Sequence, residues 1–197
     1  MADRPRLILA SASPRRRSLL TEAGYAFDVD PAEVDESKYP PGMLPAQVAE
    51  YLALAKARAV APRHAEDVVL AADTVVAFGD TLLGKPADAD HARRMLVLLS
   101  GTTHLCVTGV AVARGAGVKV GHATSAVRMR SLTRGEIDAY VASGRWEGKA
   151  GGYGIQDEQL KSDPFVTRAA GSHTNIVGLP MELASEMLAE AGVFPQR

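Results

Sequence analysis

The chain has 197 residues, of which 47% are apolar, enough for a sizeable core and too apolar for a disordered segment. Its 22 basic residues meet 23 acidic ones, a formal net charge of −1, so no basic excess marks a nucleic-acid binder and a small anionic ligand fits better than a polymer. The one cysteine, Cys106, excludes an intrachain disulfide framework and a cysteine zinc site, and its apolar neighbours Leu105 and Val107 read it as a core residue.

The N-terminus is polar, and the apolar run that follows, Leu7 to Ala10, is too short for a signal peptide. No stretch nears the roughly 20 apolar residues of a membrane span. A cytoplasmic location without membrane contact is the expectation, with residues 1–197 as a single domain.

Strands and helices alternate, which predicts an α/β class. Leu7 to Ala10 reads as a short buried strand, and Pro14 to Ala23 as a helix stopped by Gly24. Phe27 to Val29 is a second strand, and an acidic, proline-rich loop runs from Asp30 to Pro45. Ala46 to Ala61 carries Val48, Leu52, Ala55 and Ala59 at helical spacing, ending at Pro62. Val68 to Phe78 is a long apolar strand interrupted by Ala71-Ala72-Asp73-Thr74, with a hairpin turn at Gly79-Asp80 into Thr81 to Leu83. Asp90 to Leu99 is a helix. His104 to Ala113 and Val118 to Met129 are strands joined by a glycine-containing turn. Thr133 and Glu136 form a capping box that opens a helix to Ala142. Gly148 to Gly154 is a glycine-rich loop, and Met181 to Ala191 is the last helix, with Pro180 at its first turn.

Four segments carry chemistry. In Ser11-Ala12-Ser13-Pro14-Arg15-Arg16-Arg17, a strand enters and a helix leaves, with Ser13 suited to cap it. Three arginines in a first turn oppose the helix dipole. A bound polyphosphate would offset that cost, because helix amides and guanidinium forks both favour it; otherwise the arginines fan into solvent. Asp73 lies inside an apolar strand, where a carboxylate must be paired, hydrogen-bonded or on a metal. It is either a structural ion-pair partner or a functional acid that binds Mg²⁺ or activates water. Lys85, fixed between Gly84 and Pro86, and Lys56 in the helix can neutralise phosphate, or can be ordinary lysines. Glu33, Asp35 and Glu36 offer a second metal ligand or a solvated loop. In Gly148 to Gln156, clustered glycines permit close backbone approach, and the Gln156 amide can read a base edge; a plain loop is the alternative. The five histidines show no metal-binding spacing, and neither a Walker loop nor a Gly-x-Gly-x-x-Gly pattern is present.

Taken together, Leu9-Ala10-Ser11-Ala12-Ser13-Pro14-Arg15-Arg16, Val34-Asp35-Glu36-Ser37, Lys56-Ala57-Arg58-Ala59, Ala72-Asp73-Thr74-Val75-Val76, Gly84-Lys85-Pro86, Leu99-Ser100-Gly101, Lys149-Ala150-Gly151 and Val177-Gly178-Leu179-Pro180 resemble the Maf family of nucleotide pyrophosphatases over nearly the whole chain. The Ala-Asp-Thr-Val-Val and Gly-Tyr-Gly-Ile-Gln segments look like the branch acting on dTTP and UTP rather than on 7-methyl-GTP. Residues Asp157 to Asp163 depart from the glycine-containing stretch implied there, and His173 stands where tyrosine is common.

The resemblance implies a two-lobed Maf/ITPase-like α/β fold, a strongly curved mixed sheet with flanking helices and a central cleft for the nucleotide, often as a homodimer. Ser11, Arg15 and Arg16 would hold phosphate. Glu36 and Asp73 would be the acidic site residues and hold Mg²⁺ or Mn²⁺, Lys56 and Lys85 would neutralise the polyphosphate, and Thr74 and Gln156 would help choose the base. Asp73 would orient or deprotonate the attacking water, yielding the monophosphate and pyrophosphate. A nucleotide-binding regulator of cell division without turnover, and a phosphatase removing the γ-phosphate, are the rival readings.

Overall fold

The computed structural model describes residues 5–156 and 164–196; the predicted departure at residues 157–163 lies outside them. The elements are β1 (Leu7–Leu9), α1 (Pro14–Glu22), β2 (Asp28–Val29), α2 (Pro45–Val60), β3 (Val68–Phe78), β4 (Thr81–Leu83), α3 (Ala89–Leu99), β5 (Thr103–Arg114), β6 (Gly117–Met129), α4 (Arg134–Ala142), β7 (Val166–Ala170), α5 (His173–Val177) and α6 (Met181–Glu190). Element bounds agree with the sequence reading to within a residue or two. The differences are β7 and α5, which the pattern did not announce, and Pro180, which stands at the N-cap of α6 rather than inside its first turn.

One mixed sheet runs β2-β1-β3-β5-β6-β7, with β4 also on β3. β1 is parallel to β2 and β3, and the remaining pairs are antiparallel. β3 pairs with β5 without a break from Val68 to Ala77, so Ala71 to Thr74 do not interrupt the strand. The interruption is on its other edge. β1 covers Val68 to Leu70 and β4 covers Val76 to Phe78. Among the described residues no strand covers the edge of β3 between these two stretches.

The period-2 alternation of a strand sends side chains of β3 to separate cores. Val68, Leu70 and Ala72 join Leu9, Leu20, Val110, Leu179 and Leu188 beneath α1 and α6. Val69 and Ala71 face Ala53, Ala57 and Val60 of α2. Farther along, Val76 packs with Met95, Leu96 and Leu99 of α3 and with Ile137, Tyr140 and Val141 of α4. Thr74 thus falls on one face, between the first and third of these cores. Asp73 falls on the α2 face, between Ala71 and Val75.

The approach of α2 to the sheet is unusually close. In register with Asp73 across the ladder is Gly109 of β5, where a Cβ would lie 2.2 Å from the Ala49 carbonyl oxygen of α2. Only glycine fits, and that absence of a side chain seats the helix that carries Lys56.

Candidate active site

β1 ends where the chain leaves the sheet, and residues 10–13 turn it into α1. Pro14 starts the helix, but Ser13 makes no side-chain cap, contrary to the sequence expectation. The turn is instead held by Ser11, whose Oγ accepts from the Ser13 amide at 3.3 Å and from Arg16 Nη1 at 3.0 Å. These contacts use the oxygen's lone pairs, so its own proton remains for an acceptor in the cleft.

The three arginines of α1 part company. Arg17 is exposed and folds back on the Ala12 carbonyl. Arg15 reaches across to the carbonyls of Val177 (3.2 Å) and Gly148 (3.4 Å), joining three segments distant in sequence. Arg16 is buried at 8% exposure. It donates to the Gly178 carbonyl at 2.7 Å, to Ser11, and to Thr74 Oγ1 at 3.1 Å. Burial lowers its pKa, with the charges of Asp73 and Glu36 acting in the opposite sense. All its hydrogen-bond partners here are neutral groups, which leaves a desolvated cation lining the cleft.

Opposite it runs a chain of alternating charge. Lys56 Nζ lies 2.5 Å from Asp73 Oδ1 and 2.6 Å from Glu36 Oε1, and Lys85 Nζ lies 2.5 Å from Glu36 Oε2. Asp73 is 4% and Lys56 is 6% exposed. Burial acts to raise the pKa of Glu36, but the two ammonium groups outweigh it and hold the carboxyl at about 2. Asp35, by contrast, is spent on its own turn, where Ser37 donates to it.

The glycine-rich loop forms the far wall. The Gly151 amide donates to the Gly84 carbonyl at 3.0 Å, tying the loop to the segment carrying Lys85. Gly151 has φ 72°, and a Cβ there would stand 3.1 Å from Val76. Tyr153 anchors the loop from inside, its hydroxyl 2.6 Å from His104 Nε2. Burial depresses His104 to about 4, so the imidazole is neutral and structural.

A cavity of about 390 Å³ opens at the uncovered edge of β3, lined by Ser11, Arg15, Arg16, Glu36, Lys56, Asp73, Thr74, Lys85 and Gln156 together. All nine residues to which the resemblance gave a site role are on it, drawn from segments between Ser11 and Gln156, whereas Arg17, Glu33 and Asp35, also singled out from sequence, do not line it. The volume suits a nucleotide-sized ligand, and the charge pattern suits one with several phosphates. Cys106 also lines it, but burial pushes its thiol up to about 12, which removes it as a nucleophile. Val177 and Gly178, read from sequence as a motif without a role, form a wall of the cleft; sequence reasoning missed the Tyr153–His104 pair and Thr108, which touches Thr74 from the neighbouring strand. The last is visible only once the β3–β5 register is known.

Among the described residues, no group of three or more His, Cys, Asp or Glu side chains is arranged to hold a metal; Asp73 and Glu36 form a pair bridged by Lys56. No described helix is long and apolar enough to cross a membrane.

The chain is similar to known proteins over nearly its whole length. A protein from Cereibacter sphaeroides named dTTP/UTP pyrophosphatase is 49% identical over 95% of this chain and 95% of its own. One of the same name from Moorella thermoacetica is 47% identical over 95% and 96%. The solved structure of a HAM1 protein from Coxiella burnetii superposes with a TM-score of 0.53 at 17% identity, covering 94% of this chain and 99% of that one. That likeness concerns the α/β fold, a curved mixed sheet with flanking helices. The model described as Maf-like protein matches residues 6–191, and the chain belongs to that family.

Proposed function

We propose that this protein is a nucleoside triphosphate pyrophosphatase acting on dTTP and UTP, removing such nucleotides from the pool as monophosphate and pyrophosphate. The observation that carries this reading is the single β3 carboxylate, Asp73, facing a cleft walled by Arg15, Arg16, Lys56 and Lys85. Relatives that match nearly end to end carry the corresponding name.

In this mechanism the triphosphate lies along the cationic wall, with Ser11, Arg15 and Arg16 on phosphate oxygens. Asp73 orients a water and takes its proton as the water oxygen attacks the α-phosphorus. The bond from that phosphorus to the α–β bridging oxygen breaks, and pyrophosphate departs with the electron pair. Lys56 and Lys85 stabilise the charge that gathers on the leaving group. Gln156 at the rim reads the base.

Two carboxylates fit the donor set that Mg²⁺ or Mn²⁺ takes when phosphate oxygens and waters complete its coordination. Asp73 and Glu36 would hold such an ion, which would supply further charge neutralisation on the phosphates. On this reading the enzyme works in the cytoplasm as a homodimer.

Asp73→Asn tests the role of the acid: turnover of UTP falls at least ~100-fold, the scale of losing a general base, while nucleotide binding measured by calorimetry persists. Full turnover in that variant refutes the assignment. Product analysis separates the alternatives. Pyrophosphate supports the reading, orthophosphate with a diphosphate marks a γ-phosphatase, and no product marks a binding protein.

A further inference from the structure

Thr74 lines the cleft, and its hydroxyl sits in a chain of hydrogen bonds whose direction can be worked out. Arg16 Nη2, which can only donate, points at Thr74 Oγ1 from 3.1 Å. On the other side Thr108 Oγ1 lies 2.9 Å away, directly across the β3–β5 ladder. Thr108 is 0% exposed, and its hydroxyl lies 3.1 Å from the backbone carbonyl of Asn175. A carbonyl only accepts, so the single proton of Thr108 goes to Asn175. The contact between the two threonines must then use the proton of Thr74.

The carbonyl that sets this direction is held firmly. Asn175 is fully buried, and its side-chain amide donates to the Cys106 carbonyl at 3.0 Å and to Ser125 Oγ at 2.9 Å. The proton order along the chain is therefore Arg16 to Thr74, Thr74 to Thr108, and Thr108 to Asn175. Thr74 has given its proton inward and received one from Arg16. What it presents to the cleft is one remaining lone pair.

We infer that Thr108 is a positioning residue that makes Thr74 an acceptor-only contact, so that the cleft demands an N–H or O–H donor from its nucleotide at that point. This rests on the proposal that the cavity holds the nucleotide. A phosphate oxygen, itself an acceptor, is repelled by this lone pair, so the phosphates meet Ser11, Arg15, the lysines and the remaining N–H groups of Arg16 rather than Thr74. Two groups of UTP and dTTP supply such a donor: the imide N3–H of the base and the 3′-hydroxyl of the sugar. The chemistry they share is donation to Thr74 Oγ1.

The test uses substrates in which a donor becomes an acceptor at nearly constant shape. CTP presents a ring-nitrogen lone pair where UTP presents N3–H, and 3′-fluoro-3′-deoxy-UTP presents fluorine where UTP presents a hydroxyl. The wild-type protein should disfavour one of them by roughly tenfold or more in kcat/KM, the scale of one unsatisfied hydrogen bond; which one identifies the donor. Thr108→Val frees the Thr74 proton, so Thr74 can donate, and the discrimination should shrink at least several-fold. Thr108→Ser should restore it. Thr74→Val, which deletes the acceptor, should also erase the preference and guards against a misfolded Thr108→Val.

Wild-type protein that accepts both analogues as well as UTP overturns the inference. So does a folded Thr108→Val or Thr74→Val with the wild-type preference intact. The broader catalytic reading is judged separately by Asp73→Asn, which leaves this hydroxyl chain untouched.

Discussion

Replacing Lys56 with methionine keeps the length of the side chain and deletes the ammonium that Asp73 and Glu36 share. Glu36 retains Lys85 at 2.5 Å, with the Lys85 side chain half exposed. Asp73 has no such reserve: its side chain is 6% exposed, and Lys56 is its ion-pair partner at 2.5 Å. Removing one member of a buried pair typically costs about 3–5 kcal/mol, because the survivor is left desolvated and uncompensated. For a chain of this length about 1 kcal/mol corresponds to about 2–4 °C in Tm, so Lys56→Met should melt about 6–20 °C below wild type. Asp73→Asn alone removes the charge that needs compensation. In the double variant Lys56→Met/Asp73→Asn the two losses should therefore fall short of additivity by about 1–3 kcal/mol. Chemical denaturation of the four proteins at neutral pH gives the cycle directly. A Lys56→Met protein melting within about 2 °C of wild type, or a fully additive cycle, would refute the view that this pair is desolvated and mutually dependent.

Two further outcomes follow from the same region. Gly109→Ala places a methyl group 2.2 Å from the Ala49 carbonyl oxygen, so α2 must shift. Overpacking of this kind costs about 1–3 kcal/mol and should lower kcat/KM by moving Lys56; an unchanged denaturation midpoint together with unchanged turnover contradicts the close seating of α2. Glu36 titrates at about 2 against an ordinary 4.5, so its ionised form stabilises the fold above the ordinary value, and that contribution is lost as pH falls from 4.5 through about 2. The side chain is 31% exposed, so screening reduces the contribution to about 1–2 kcal/mol. Urea midpoints between pH 5 and pH 2.5 should fall less steeply for Glu36→Gln than for wild type, and parallel curves would remove Glu36 as the cause.

Much of the fold was legible because local signals agreed with one another. Thr133 and Glu136 form the capping box at the start of α4, with both reciprocal contacts, and the two strand runs on either side of the glycine-containing turn make the β5–β6 pair. β7 was not legible: Val-Thr-Arg-Ala-Ala has weak strand character, and it forms by pairing with β6. α5 has only five residues, too few for a helical period to show, though Ser172 caps it and Gly178 ends it at φ 129°. Ser13 looked like a cap by position, yet the Ser11 hydroxyl takes its amide. Such a substitution depends on where the loop turns, which no local propensity reports.

For the site, residue types and motif order marked the participants, and the fold supplied their pairing. Asp73 was conspicuous as a charge in an apolar run, but its partner Lys56 lies on a helix 17 positions earlier. Thr108 carried no signal, since a threonine in a strand is ordinary and its role follows from standing opposite Thr74.

The opening between β1 and β4 along β3 limits how this cleft can diversify. Asp73 and Thr74 are consecutive residues on opposite faces of one extended backbone, and the vacant flank lets both reach the same ligand. A backbone adjustment that re-aims the threonine toward a different nucleotide also tilts the acid beside it, so recognition at this strand is mechanically yoked to turnover. Changes of base preference that preserve rate should therefore accumulate on the opposite wall, at exposed positions such as Gln156 rather than at Gly151, whose close packing on Val76 ties it to β3.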